Sequence, residues 1–170
     1  MKELTTKEQI CKAKTMVHIN NVITLMIDIV KKLMDRALVH DKSKILDPEL
    51  AIFAEYTDKL AKCTYGSEEY KQYLEEMKPA LDHHYAYNRH HPEFHTDGIG
   101  GMNLLDLIEM LCDWKAATLR HNDGDIKRSI EINSKRFNID FQLKNILLNT
   151  VVLFDEKKLE TQRDENSKGK

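Results

Sequence analysis

Residues 103–117, NLLDLIEMLCDWKAA, decide the fold class. Asn103 is a favoured N-cap type, and neither proline nor glycine interrupts the run that follows. Leu104, Leu105, Leu107, Ile108, Met110, Leu111 and Trp114 cover most of a helical circumference, the pattern of a buried helix. Asp106, Glu109 and Asp113 fall at i, i+3 and i+7 and share one narrow face. An acidic stripe on a buried helix calls for a counter-charge or a metal ion; a thin solvated face is the bland alternative. Asp113 is the ligand candidate, because apolar residues bracket it most tightly, with Asp106 in reserve.

The helical period extends outward from this stretch. Thr5 or Thr6 caps a first helix, and Val22, Leu25, Ile29 and Leu33 carry it to about Arg36. His18 lines up on the same apolar face. Asp47-Pro48-Glu49 reads as N-cap, first-turn proline and first-turn acid of a helix to about Cys63. Tyr65-Gly66 is a break, Ser67 starts another helix, and Pro79 kinks or restarts it before a piece to about Arg89. Residues 90–102, HHPEFHTDGIGGM, read as a loop. The helix from Asn103 runs to about His121, Asp123-Gly124 is a turn, and two helices follow near 125–136 and 140–154. No strand pattern and no internal repeat is present. The reading is all-α: a single-domain bundle of about six or seven helices over 1–154, with a charged, frayed tail over 155–170.

Composition narrows the function. A net charge of −2 carries no basic excess that would indicate nucleic acid. Cys11, Cys63 and Cys112 form no CxxC pair, which argues against a zinc ribbon or a disulfide framework and fits a reducing cytoplasm. No apolar stretch approaches the ~20 residues of a membrane span.

Histidine is the chemical signal. Of eight histidines, five fall between residues 83 and 95: His83, His84, His90, His91 and His95. Neutral imidazole is the commonest nitrogen ligand for first-row divalent metals. The plain alternative is a polar turn with stacked rings. His40-Asp41 adds an adjacent nitrogen and oxygen donor that reach one ion if the backbone turns there. Aspartate also bridges two ions through its two oxygens. Lys44 follows three residues on.

Together these residues resemble the HD-domain superfamily of metal-dependent phosphohydrolases. Its pattern is a histidine on an early helix, an HD pair, and a final aspartate on a later helix. His18, His40-Asp41 and Asp113 match in order and approximate spacing. VHDKSK is similar to the HDxGK-type signature, with Ser43 where glycine is frequent and Lys44 in the lysine position. His90-His91-Pro92-Glu93, Asp97-Gly98-Ile99-Gly100 and Asp113 follow the order of the HD-GYP branch, but the GYP tripeptide is absent and His83 and His84 lie closer to His90 than in that branch. The combination HDKSK, HHYAYNRHHPEFH and LLDLIEMLCDWKAA is also similar to uncharacterised bacterial and phage proteins over roughly residues 15–120.

The resemblance implies an HD-like fold and one or two divalent transition ions: Mn²⁺, Fe²⁺, Co²⁺, Ni²⁺ or Zn²⁺, with Mg²⁺ less suited to so many imidazoles. His18, His40, Asp41 and Asp113 would hold one ion, and Asp41 would bridge to a second on His84, His90 and His91. His84 is preferred to His83 because Asn88 lies one turn later on its face. Asp41 and Lys44 are the catalytic candidates. Lys44, Arg89 and Arg120 are candidate cations for a substrate phosphate, most simply a nucleotide. Glu93 and His95 either support the site or cap the loop. The alternative is a non-catalytic protein that binds a nucleotide or a partner and keeps a retained or structural metal site. The apolar faces of the last two helices either complete the core or form a homodimer seam.

Overall fold

Side-chain caps set most of the helix starts. The computed structural model describes residues 4–63, 67–119 and 124–155. Its α-helices are α1 (Thr6–Val39), α2 (Glu49–Lys62), α3 (Glu68–Glu76), α4 (Lys78–Tyr87), α5 (Leu104–Thr118), α6 (Ile126–Arg136) and α7 (Phe141–Thr150). No strand occurs among the described residues, so the chain is all-α as the periodicity predicts. Thr5, Ser67, Asn103, Asp125 and Asp140 each accept hydrogen bonds from first-turn N–H groups. These bonds satisfy donors that a helix start leaves unpaired. Pro79 restarts the chain at α4 rather than kinking one continuous helix. The expected break at Tyr65-Gly66, Asp123 of the expected turn, Arg120, His121 and the tail over 156–170 lie outside the described residues.

Three expectations are corrected. Pro48, not Asp47, holds the N-cap position of α2, without a side-chain cap. Glu49 is not a solvated first-turn acid but is fully buried, because its carboxylate is drawn inward by groups described below. α4 stops at Tyr87, and Asn88 takes the C-cap position.

The chain divides after His40 into two units, Met1–His40 and Asp41–Lys170. The first is the single helix α1, with a capping box between Thr5 and Glu8. None of its residues is buried, and Val22, Leu25 and Ile29 of the expected core face are exposed. One helix has no second layer of its own on which to bury that face. Among the described residues, no helix is long and apolar enough to cross a membrane.

The second unit holds α2 to α7. Leu111 of α5, Ile126 and Ile130 of α6, Leu147 of α7 and Val151 beyond it form one apolar cluster. Trp114 packs against this cluster and stacks on Phe137 with ring planes 7° apart. The cluster fixes α5, whose opposite face carries the acids. A 3₁₀ turn over Lys42–Ile45 packs on α2 and α4, and 3₁₀ turns over Pro92–Phe94 and Gly98–Gly101 follow α4. Ile130 is fully buried. Ile130→Ala is expected to cost about 2–5 kcal/mol, read as a lower urea midpoint with an unchanged denaturant slope.

Candidate metal centre

Asp41 starts the second unit with φ 54°, in the left-handed region that aspartate tolerates better than most side chains. The chain turns here. It aims the carboxylate at the histidines. Asp41 Oδ1 lies 3.4 Å from His84 Nε2 and 3.4 Å from His90 Nε2. Lys44 Nζ donates to Asp41 Oδ2 at 2.6 Å, one turn on, and so fixes which oxygen faces inward. His84 Nε2 and His91 Nε2 are 2.9 Å apart. One ligand atom from each of Asp41, His84, His90 and His91 lies within 4.8 Å of every other. Asp113 brings a ligand atom within 4.8 Å of one on Asp41.

The far sides of the rings are held by carboxylates. His84 Nδ1 lies 2.9 Å from Glu49 Oε2, and His90 Nδ1 lies 3.2 Å from Glu109 Oε1. An ionised carboxylate only accepts, so each Nδ1 carries the hydrogen and each Nε2 keeps its lone pair for the centre. Ser43 Oγ donates to Glu49 Oε2 at 3.1 Å and accepts from Asn88 Nδ2 at 2.9 Å. Asn88 Nδ2 also donates to the His84 carbonyl at 2.8 Å, closing α4 over its own histidine.

Protonation follows from burial. His84 and His90 are each only 1% exposed. Burial pushes the His91 imidazole down to about 3, and the adjacent His90 and His84 add to the effect. Burial also lowers the pKa of His84, with Lys44 the next cause. With imidazoles held neutral, the facing Nε2 pair is met either by a hydrogen on His91 Nε2 donating to His84 or by a cation between the two nitrogens. The donor set of three imidazole nitrogens and an aspartate oxygen fits a divalent transition metal on chemical grounds.

Several candidate residues of the second unit have other partners. His83 is not in the cluster: its Nδ1 meets the other oxygen of Glu49 at 2.7 Å and its ring packs on Tyr87. Asp106 is fully buried, yet its carboxylate closes the α5 capping box and accepts from the Arg89 guanidinium at 3.2 and 3.3 Å. Asp106 therefore holds the start of α5 and is no reserve ligand. Arg89, paired with Asp106 and lying over the Phe94 ring, is withdrawn as a phosphate contact. His95 Nε2 donates to the Arg89 carbonyl at 2.9 Å, and Glu93 accepts from Arg136 at 2.9 Å, so both tie down the loop. In the first unit, His18 is exposed on α1, and His40 is the C-cap of that helix.

Sequence reasoning missed Glu49 and Glu109. Glu49 carries the ordinary signature of a helix-start acid. Glu109 stands in the acidic stripe, where apolar residues bracket Asp113 more tightly. Its position one turn before Asp113 was the available signal.

A family model matches residues 7–153. The chain belongs to DUF5662, a family of unknown function. No curated protein and no solved structure matches the chain. The match to DUF5662 spans the whole histidine cluster, its carboxylate supports and the α5–α7 core.

Two outcomes follow. Glu49→Gln is expected to weaken binding of Zn²⁺ or Mn²⁺ about 10–100-fold, because the amide is uncharged and keeps only one of the two acceptor oxygens that serve His83 and His84; competition with a chelating dye reads this. In metal-free protein, the unfolded chain binds more protons than the folded one between about 3 and the ordinary 6.5 of His91. Stability therefore falls as pH drops through that window. Urea unfolding in EDTA across pH is expected to show this loss, and His91→Gln to flatten it.

Proposed function

We propose that this DUF5662 chain is a metal-dependent phosphohydrolase acting on a nucleotide or another phosphate ester. One or two divalent transition ions would be held by Asp41, His84, His90 and His91, with Asp113 beside them. The observation that carries the reading is the convergence of these donors with the outer nitrogens of His84 and His90 set against carboxylates. That is how proteins orient imidazoles for metal binding. When bound, such an ion supplies Lewis acidity and activates water for hydrolysis.

The chain's own groups divide the remaining work. Asp41 offers one oxygen to the centre and gives the other to Lys44. The Lys44 side chain is 36% exposed, so its ammonium stands at the solvent edge of the centre as a cation for a substrate phosphate. Glu49 and Glu109 keep the histidine protons on the outer nitrogens. The loop over 90–101 is tied by Glu93 to Arg136 and by His95 to the Arg89 carbonyl, which holds His90 and His91 in place.

A purely structural ion is the second reading, favoured by the near-complete burial of His84 and His90. The two readings separate on removal of metal. A structural ion makes EDTA unfold the domain, and no ester is cleaved by any metal form. A catalytic ion leaves the fold in place and abolishes turnover.

Elemental analysis of purified protein is expected to find transition metal, and Asp41→Ala and His90→Ala to lose both the metal and phosphatase activity. Full metal content in either variant would overturn the ligand assignment. Lys44→Gln is expected to retain metal while kcat falls about 100-fold or more, the scale of losing one positioned transition-state donor. Steady-state kinetics on a phosphate-ester panel measure this.

A further inference from the structure

Outside the histidine cluster, the second unit has a cleft of about 300 Å³ formed by α3, α4 and α6. Its wall includes Tyr70, Leu74, Glu75, Lys78, Tyr85 and Arg136. Tyr85 is shared with the centre: its ring centroid lies 4.9 Å from that of His91. The cleft thus adjoins the one cluster histidine whose ring is only partly buried. Arg136 makes a second link, because its guanidinium holds Glu93, two residues past His91.

The lining is chemically mixed. Two phenol rings and a leucine offer surface to a flat apolar body. Lys78 and Arg136 are cations in exposed ion pairs, with Asp82 at 3.3 Å and Glu93 at 2.9 Å. The Lys78–Asp82 pair, exposed on both sides, is weak and exchanges readily for a ligand anion, while Arg136 adds positive charge without releasing Glu93. Glu75 provides an acceptor for hydroxyl or amino groups at the ring's edge. A ligand of matching character carries one aromatic ring, hydrogen-bonding groups and an anion. The volume sits at the low end for ligand pockets, about 300–1,000 Å³. It suits one ring-bearing unit and is too small for a dinucleotide.

We propose that this cleft is the ring subsite for a small aromatic phosphomonoester, a single nucleoside unit or an aryl group, whose phosphate is directed past Tyr85 to the histidine centre. The assignment of the phosphate rests on the hydrolase reading above. The ring subsite itself rests on the cleft. Lys78 and Arg136 guide the anion, and Tyr85 sets the distance between ring and centre.

Isothermal titration of the full chain as purified tests this with probes that resist hydrolysis. The probes are the four ribonucleoside 5′-monophosphorothioates, phenylphosphonate, and methylphosphonate as the ringless control. At least one ring-bearing probe is expected to bind about tenfold or more tightly than methylphosphonate. Preference for a phosphorothioate over phenylphosphonate assigns a nucleoside, and the reverse assigns an aryl group. Leu74→Trp, which fills the cleft, is expected to weaken that binding about tenfold or more with metal content unchanged. Lys78→Glu, at an exposed position, should do the same without touching the core. Equal binding of methylphosphonate, no binding by any ring-bearing probe, or wild-type affinity in both variants overturns the proposal. Ring binding in a protein that contains no metal sinks the hydrolase reading and leaves the subsite standing.

Discussion

Glu49 is a fully buried acid at the first position of α2, and its two oxygens divide between His83 and His84. Burying a carboxylate is costly unless its oxygens are met by donors. Here the donors come from two places, α4 through both histidines and the 3₁₀ turn through Ser43, and the dipole at the N-terminal end of α2 favours the negative charge. Withdrawing any one leaves charge unmet. The geometry of the turn after Asp41, the start of α2 and the last turns of α4 is therefore set by one side chain. The same bond holds the His84 hydrogen on Nδ1, so the constraint that organises the backbone also prepares the nitrogen facing the cluster.

The acidic stripe on α5 is the counterpart on the other wall, and its three members have separate tasks. Asp106 meets Arg89 and the α5 capping box, and so fixes the loop that leaves α4 against the start of α5. Glu109 meets His90 Nδ1. Asp113 reaches toward Asp41. These jobs step along one helical face, from scaffold to support to centre. The apolar cluster of Leu111, Ile126, Ile130 and Leu147 keeps that face in register, since any roll of α5 would misplace all three acids together.

Helices were legible because their signals are local. Caps at Thr5, Ser67 and Asn103, the restart at Pro79 and the 3.6-residue period all act within a few residues. The donor cluster was partly legible because His84, His90 and His91 lie close in sequence and Asn88 supports His84 within α4. Roles set by long-range pairing were not. Glu49 looks like any helix-start acid until α4 is laid against α2. Arg89 looks like a phosphate ligand until Asp106 is seen to take its guanidinium. Composition and periodicity report which residues want burial, while the identity of a buried charge's partner is decided by packing.

Ser43 shows how tightly the network is drawn. It stands where the resembled motif often carries glycine, a residue chosen for backbone freedom. In this chain the left-handed backbone position is taken two residues earlier, by Asp41. The third position of the turn is thereby released from a conformational demand and given a chemical one. Its hydroxyl donates to Glu49 and accepts from Asn88. A glycine there would remove one bond from each of those groups, leaving Glu49 its His84 partner and Asn88 the His84 carbonyl, a cost of roughly 0.5–1.5 kcal/mol for each bond lost. Asp41, Ser43, Glu49 and Asn88 are thus one interdependent set, and the His84 ring sits at its centre.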